Sequence, residues 1–335
     1  MKTIYFGTYT KRQSQGIYAA DFETDSGQLS NLRLLAKEPN PTYLTFSENN
    51  CYSVGSYKGK GGIASFNQHF QLINHVVETG APLCYVAADK QHRLVYGANY
   101  HKGEILIYKQ GNKGELTLVN KLLHHGSGPH QNQAGPHPHF ADLTPDGCLI
   151  TCDLGTDSVI TYDVSNRGQT KELGHYHAAS GSGCRHLVFH PKQKTVYLVC
   201  ELNATVEVLD YYGKGQFKKR QTITTLPDNY QGFNACGAIR ITKDGRFLYV
   251  SNRGHDSIAV FAVTENGELE NRQIIPSAGQ TPRDFTLSPA EDFLIAVHQD
   301  SDNAAVFKRD SKTGLLTEKS RNFTVPEAVC VLFND

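Results

Sequence analysis

Four residues in this sequence combine side chains suited to attack on an activated carbonyl: His139, Arg185, Glu201 and Arg253. A guanidinium such as Arg185, between Cys184 and His186, offers a planar fork for a carboxylate, a phosphate or a developing oxyanion. Its bland alternative is a surface salt bridge. Glu201 in VCELN and Arg253 in VSNRG each close an apolar run. If they pair, the carboxylate is favoured in its ionised form and can bind hydroxyls or take a proton from water. The alternative for them is a structural ion pair between neighbouring repeats. His139 follows the pair His137–Pro138, and an imidazole there suits general acid or base work near neutral pH, with His137 as the competing choice.

Arg283 in TPRDF and Asn99 in ANY fall at corresponding places and, with His137, suit the binding of substrate hydroxyls or a charged tail. Asp153, Asp256 and His298 lie nearby in the pattern, but Asp after a strand commonly forms a turn. His124, His125 and His130 raise a transition-metal alternative. The run lacks the short paired spacing of a finger-type or helix-borne site and shows no partnering carboxylate, so no metal and no other cofactor is expected.

The elements that must position these residues recur along the whole chain. Each copy runs from a small or Pro-containing lead-in through an apolar strand, a turn, a second strand, a polar turn and a third strand. Lead-ins sit near Pro41, Pro82, Pro138, Cys184, Gly237, Pro282 and Pro326, a mean spacing of roughly 45 to 50 residues, suited to four-stranded blades. The seventh copy is split: VPEAVCVLFND supplies its first strand and TIYFGTYTKRQSQGIYAADF its second and third. The expectation is an all-β, seven-bladed β-propeller over residues 1–335, a single domain closed by N-terminal strands pairing with the C-terminal one.

Strand direction then sorts the loops. Turns such as TPDGC, TKDGR and SPAED fall on one face and read as hairpins. Lead-ins and second-to-third loops fall on the other, with nearly all the unusual polar residues. The two longest insertions, LLHHGSGPHQNQAGPHPH and TTLPDNYQGFNACG, extend lead-ins on that same face.

Bulk composition narrows the partners. With 33 basic and 33 acidic residues in 335, no net charge steers the chain toward nucleic acid or a membrane surface. No apolar run approaches about 18 residues and the N-terminus opens directly into a strand pattern, so a cytoplasmic location is expected. Eight scattered cysteines without CxxC spacing read as reduced core residues.

The segments GTYT, NPTYL, HFADLTPDG, CRHLVFHP, ELNATVEV, TKDGRFLYVSNR and TPRDF make the chain resemble the seven-bladed propeller lactonases, along essentially its whole length. The resemblance implies a 6-phosphogluconolactonase activity, hydrolysis of 6-phospho-D-glucono-1,5-lactone, with a phosphorylated sugar lactone as its small-molecule partner. It extends to fungal carboxymuconate-lactonizing enzymes, whose proposed set of a His, a Glu and two Arg would map onto His139, Glu201, Arg185 and Arg253. The lead-in carries Cys184 where relatives have Pro. Two rival readings are a lactonase or cycloisomerase for a muconolactone-like acid and a non-catalytic interaction propeller. An apolar near-face patch would mark the latter.

Overall fold

The computed structural model describes residues 1–334. Every regular element in it is a strand, and the strands form seven four-stranded sheets. That is the architecture of the expected seven-bladed β-propeller. Six blades are consecutive in sequence. Blade one runs through Leu44–Ser47, Asn50–Tyr57, Lys60–Phe66 and Leu72–Glu78, each strand antiparallel to the next. In blade seven the C-terminal strand Ala328–Phe333 pairs with Lys2–Thr8, followed by Gly16–Phe22 and Leu29–Lys37. Both chain ends therefore share one sheet, in the order the split repeat requires.

Two compact units make up the chain. One contains Leu35–His186 and Tyr211–Phe217, the other Met1–Leu34, Leu187–Asp210 and the chain from Lys218 onward. In the first, the innermost strands of blades one, two and three (Leu44–Ser47, Tyr85–Asp89 and Pro138–Leu143) lie successively side by side. In the second, the innermost strands of blades five, six and seven (Ala235–Ile241, Pro282–Leu287 and Ala328–Phe333) do the same.

Within each unit, neighbouring blades are welded by apolar side chains that alternate outward from both sheets. Blades six and seven share Phe293, Ile295 and Val297 with Ile4, Phe6 and Phe22, and the Phe22 and Phe293 rings meet edge to face at 5.9 Å. Burial of this kind stabilises by about 25 cal/mol per Å² of apolar surface removed from water. Buried tyrosines keep their polar ends satisfied: Tyr197 of blade four donates to the Gly267 carbonyl at 3.0 Å, and Tyr249 of blade five to that of Gly314 at 2.9 Å. Each hydroxyl thus ties one blade to a turn of the next.

Candidate active site

The innermost strand of several blades slips at its entrance. In blade three Pro138 pairs with Asp153 and Phe140 with Cys152, leaving His139 out of the ladder. In blade six Pro282 pairs with His298 and Asp284 with Val297, leaving out Arg283. In blade seven the residue left out is Val329, and in blade five Gly237 and Ala238 are passed over. Such a bulge re-aims a side chain, and a proline beside it forfeits no ladder donor. Arg185, after Cys184, holds the same place in the fourth repeat.

Around His139 the unit containing residues 35–186 builds a buried polar cluster. His139 Nδ1 lies 3.1 Å from His186 Nε2, and Arg185 Nη1 lies 3.4 Å from that same nitrogen. His139, His186 and Arg185 are 6%, 4% and 2% exposed. An arginine can only donate, so His186 Nε2 is the acceptor. The proton between the two imidazoles then belongs to His139 Nδ1, which leaves the basic lone pair of His139 on Nε2. The proton assignment follows from this network. His186 occupies the place held by Tyr43, Tyr85 and Phe140 in blades one to three, and the ring centroids of those residues lie 6.3, 5.3 and 5.4 Å from its own. These rings fix the imidazole plane. Sequence reasoning passed over His186, although its polar character among three aromatic counterparts was visible in the aligned repeats.

His137 is turned elsewhere. Its ring stacks on Tyr100 at 4.3 Å, and its Nδ1 lies 2.8 Å from the Tyr100 carbonyl. Asn99 is 2% exposed; its amide donates to the Ala81 carbonyl at 3.0 Å and accepts from the Lys102 N–H at 3.2 Å, so both ends serve the backbone. The histidine-rich lead-in does find a carboxylate, contrary to the sequence expectation: His124 Nδ1 lies 2.7 Å from Asp153 Oδ2 with both side chains buried. Asp153 Oδ1 also accepts the N–H groups of His137, Gly155 and Thr156. The pair pins the long loop just before His139. Among the described residues, no three His, Cys, Asp or Glu side chains are grouped to hold a metal ion.

In the other unit Arg253 Nη2 meets Glu201 Oε2 at 2.6 Å. The same guanidinium donates through Nε to the Ala235 carbonyl at 3.1 Å and through Nη2 to that of Cys236 at 2.7 Å. It is thereby oriented by the entrance of blade five, and it orients Glu201 in turn. Gly237 follows immediately. A Cβ there would meet Ser251 Oγ at 2.5 Å and the Arg283 carbonyl at 3.0 Å, so a side chain at the bulge would force its neighbours to shift. Arg283 is half-buried, with its guanidinium carbon 5.8 Å from the ring centroid of Tyr9.

Residues 3–333 match the family described as lactonase, 7-bladed beta-propeller. The chain is 48% identical over 335 residues to an uncharacterized protein of Lactococcus lactis, covering 98% of each. It is 39% identical over 340 residues to the 6-phosphogluconolactonase of Bacillus subtilis, covering 98% of this chain and 97% of that one. The solved periplasmic gluconolactonase of Pseudomonas aeruginosa superposes with a TM-score of 0.93 at 28% identity, over 99% and 98% of the two chains. With bulged histidine and arginine positions on a frame of seven four-stranded blades, the chain belongs to the seven-bladed β-propeller lactonase family.

Proposed function

We propose that this protein hydrolyses 6-phospho-D-glucono-1,5-lactone to 6-phosphogluconate. The observation that carries the reading is the contact of His139 with His186 beside Arg185, which supplies a base of defined tautomer next to a permanent cation. The full-length likeness to the Bacillus subtilis enzyme supports the substrate.

In the proposed reaction His139 Nε2 takes a proton from water as the water oxygen bonds to the lactone carbonyl carbon. Arg185, in the same unit as His139, stabilises the resulting oxyanion, a contribution of about 3 to 4 kcal/mol for a preorganised donor. The bond from that carbon to the ring oxygen then breaks, and the departing alkoxide takes the proton from the imidazolium. The acid product ionises to solvent. Glu201, held by Arg253, accepts hydrogen bonds from sugar hydroxyls. All eight cysteines are free thiols, seven of them buried, which supports a reducing, cytoplasmic setting.

The test is hydrolysis of phosphorylated and unphosphorylated gluconolactone, corrected for spontaneous opening, by the wild type, Glu201→Gln and Arg185→Ala. Losses of about a hundredfold or more in both variants are expected. Unchanged rates in both would overturn the site, and background rates of the wild type on both lactones would overturn the function.

A further inference from the structure

Lys11 and Arg283 both stand over the ring of Tyr9, with Lys11 Nζ at 4.2 Å and the Arg283 guanidinium carbon at 5.8 Å from its centroid. Tyr9 follows the second strand of blade seven, as Glu201 follows that of blade four, so strand phase assigns both to the lead-in end of their blades. The loop carrying Tyr9 and Lys11 is held rigidly. The buried Glu327 accepts, through its carboxylate, the N–H groups of Lys11, Arg12, Gln13 and Ser14 at 2.8, 2.9, 2.9 and 3.0 Å. Its carbonyl accepts that of Tyr9 at 3.0 Å. These amides occupy the carboxylate oxygens and hold the anion against the loop backbone rather than the Lys11 ammonium.

The other nearby acids are also engaged. Asp302 pairs with Arg12 at 2.6 Å, and Asp300 lies 3.9 Å from Arg12 while accepting from the Thr281 hydroxyl. Among the described residues neither Lys11 Nζ nor the Arg283 guanidinium has a carboxylate partner. Two cations collected on one ring without an acid form a site awaiting an anion. The backbone of Arg283 packs against Gly237, immediately after the carbonyls that hold Arg253. The strand position that carries Arg283 thus adjoins the entrance of blade five.

We propose that Arg283, Lys11 and the Tyr9 hydroxyl form a subsite for the phosphate of a sugar-phosphate substrate. The identity of the sugar rests on the lactonase reading above; the anion site does not. The guanidinium fork binds two phosphate oxygens, and the ammonium and phenol each donate to another.

The experiment compares kcat/KM for phosphorylated and unphosphorylated gluconolactone and titrates inorganic phosphate and 6-phosphogluconate calorimetrically into the same proteins. Lys11→Gln is expected to lower the preference for the phosphorylated lactone about tenfold and Arg283→Gln about a hundredfold, with parallel weakening of 6-phosphogluconate binding. Lys58→Gln removes another lysine that stands over a tyrosine, Tyr57, and serves as the control that leaves both readouts alone. A wild type that prefers the phosphorylated lactone, with variants that keep that preference, overturns the subsite and spares the function. Phosphate binding that is lost in Arg283→Gln, in a protein inactive on both lactones, upholds the subsite and overturns the lactonase reading.

Discussion

The two ends of the blades use their polar residues in opposite ways. At the hairpin end, the residue that ends or directly follows the inner strand repeats one task with different chemistry in five blades, two to six. Asp89 accepts the His92 N–H at 3.0 Å, Thr144 that of Cys148 at 2.9 Å, Thr242 that of Phe247 at 3.1 Å and Ser288 that of Phe293 at 3.1 Å. His190 does the same through Nδ1 for Lys192 and Gln193, at 3.0 and 2.9 Å. A turn needs only an acceptor near its backbone, so carboxylate, hydroxyl and imidazole serve alike. At the lead-in end, equivalent places hold His139, Arg185, Gly237 and Arg283, with partners that differ from blade to blade. A position whose residue type varies while its bond stays the same is structural. Where both vary, chemistry is the better explanation.

The largest effect should come from the histidine at the lead-in end. His139→Ala is expected to lower kcat of the folded protein by about 10² to 10⁴, the range of a lost general base, beyond the loss of about 1 to 2 kcal/mol in stability that its buried hydrogen bond to His186 implies. A variant that instead unfolded early and kept its kcat would make His139 a structural residue like His190. Next comes Gly237→Ala. Its new methyl would overlap Ser251 Oγ and crowd the Arg283 backbone, so urea unfolding should show a loss of about 1 to 3 kcal/mol. His190→Ala leaves two turn N–H groups without their acceptor. A loss of about 1 to 2 kcal/mol with normal kcat is expected; lost activity in a protein of normal stability would erase the contrast between the two ends.

Smaller again is the pH effect. Burial lowers the pKa of His190 and of His298 from the ordinary 6.5. Above that value both residues are neutral whether the chain is folded or not. As pH falls below it the unfolded chain binds protons first, so stability declines until the folded values are reached. Thermal melts across this range should show the decline, reduced in His190→Gln. Glu327 acts in more acidic solution. The backbone donors from Lys11 to Ser14 hold its pKa below the ordinary 4.5 despite opposing burial. Its contribution is present above that value and is lost as pH falls through the lowered one. The smallest expected effect is that of a chelator, which should leave activity intact; loss of activity would return the histidine-rich lead-in to consideration as a metal site.

The sequence alone determined the seven repeats, the sharing of one blade by both termini, and the sorting of hairpin turns from polar lead-ins. These features are local: side-chain alternation follows from the pleat, and Asp, Gly and Pro turns follow from backbone sterics. It also placed Glu201 and Arg253 at equivalent strand ends in adjoining repeats, where they do pair. Only the tertiary structure decided that the ladder slips around His139 and Arg283, because a bulge is settled by pairing with a strand distant in sequence. It likewise turned the Asn99 amide onto the backbone, drew His124 to Asp153 and set His186 against His139. Residue type says what a side chain can bind, whereas its partner depends on which atoms packing brings within about 3 Å.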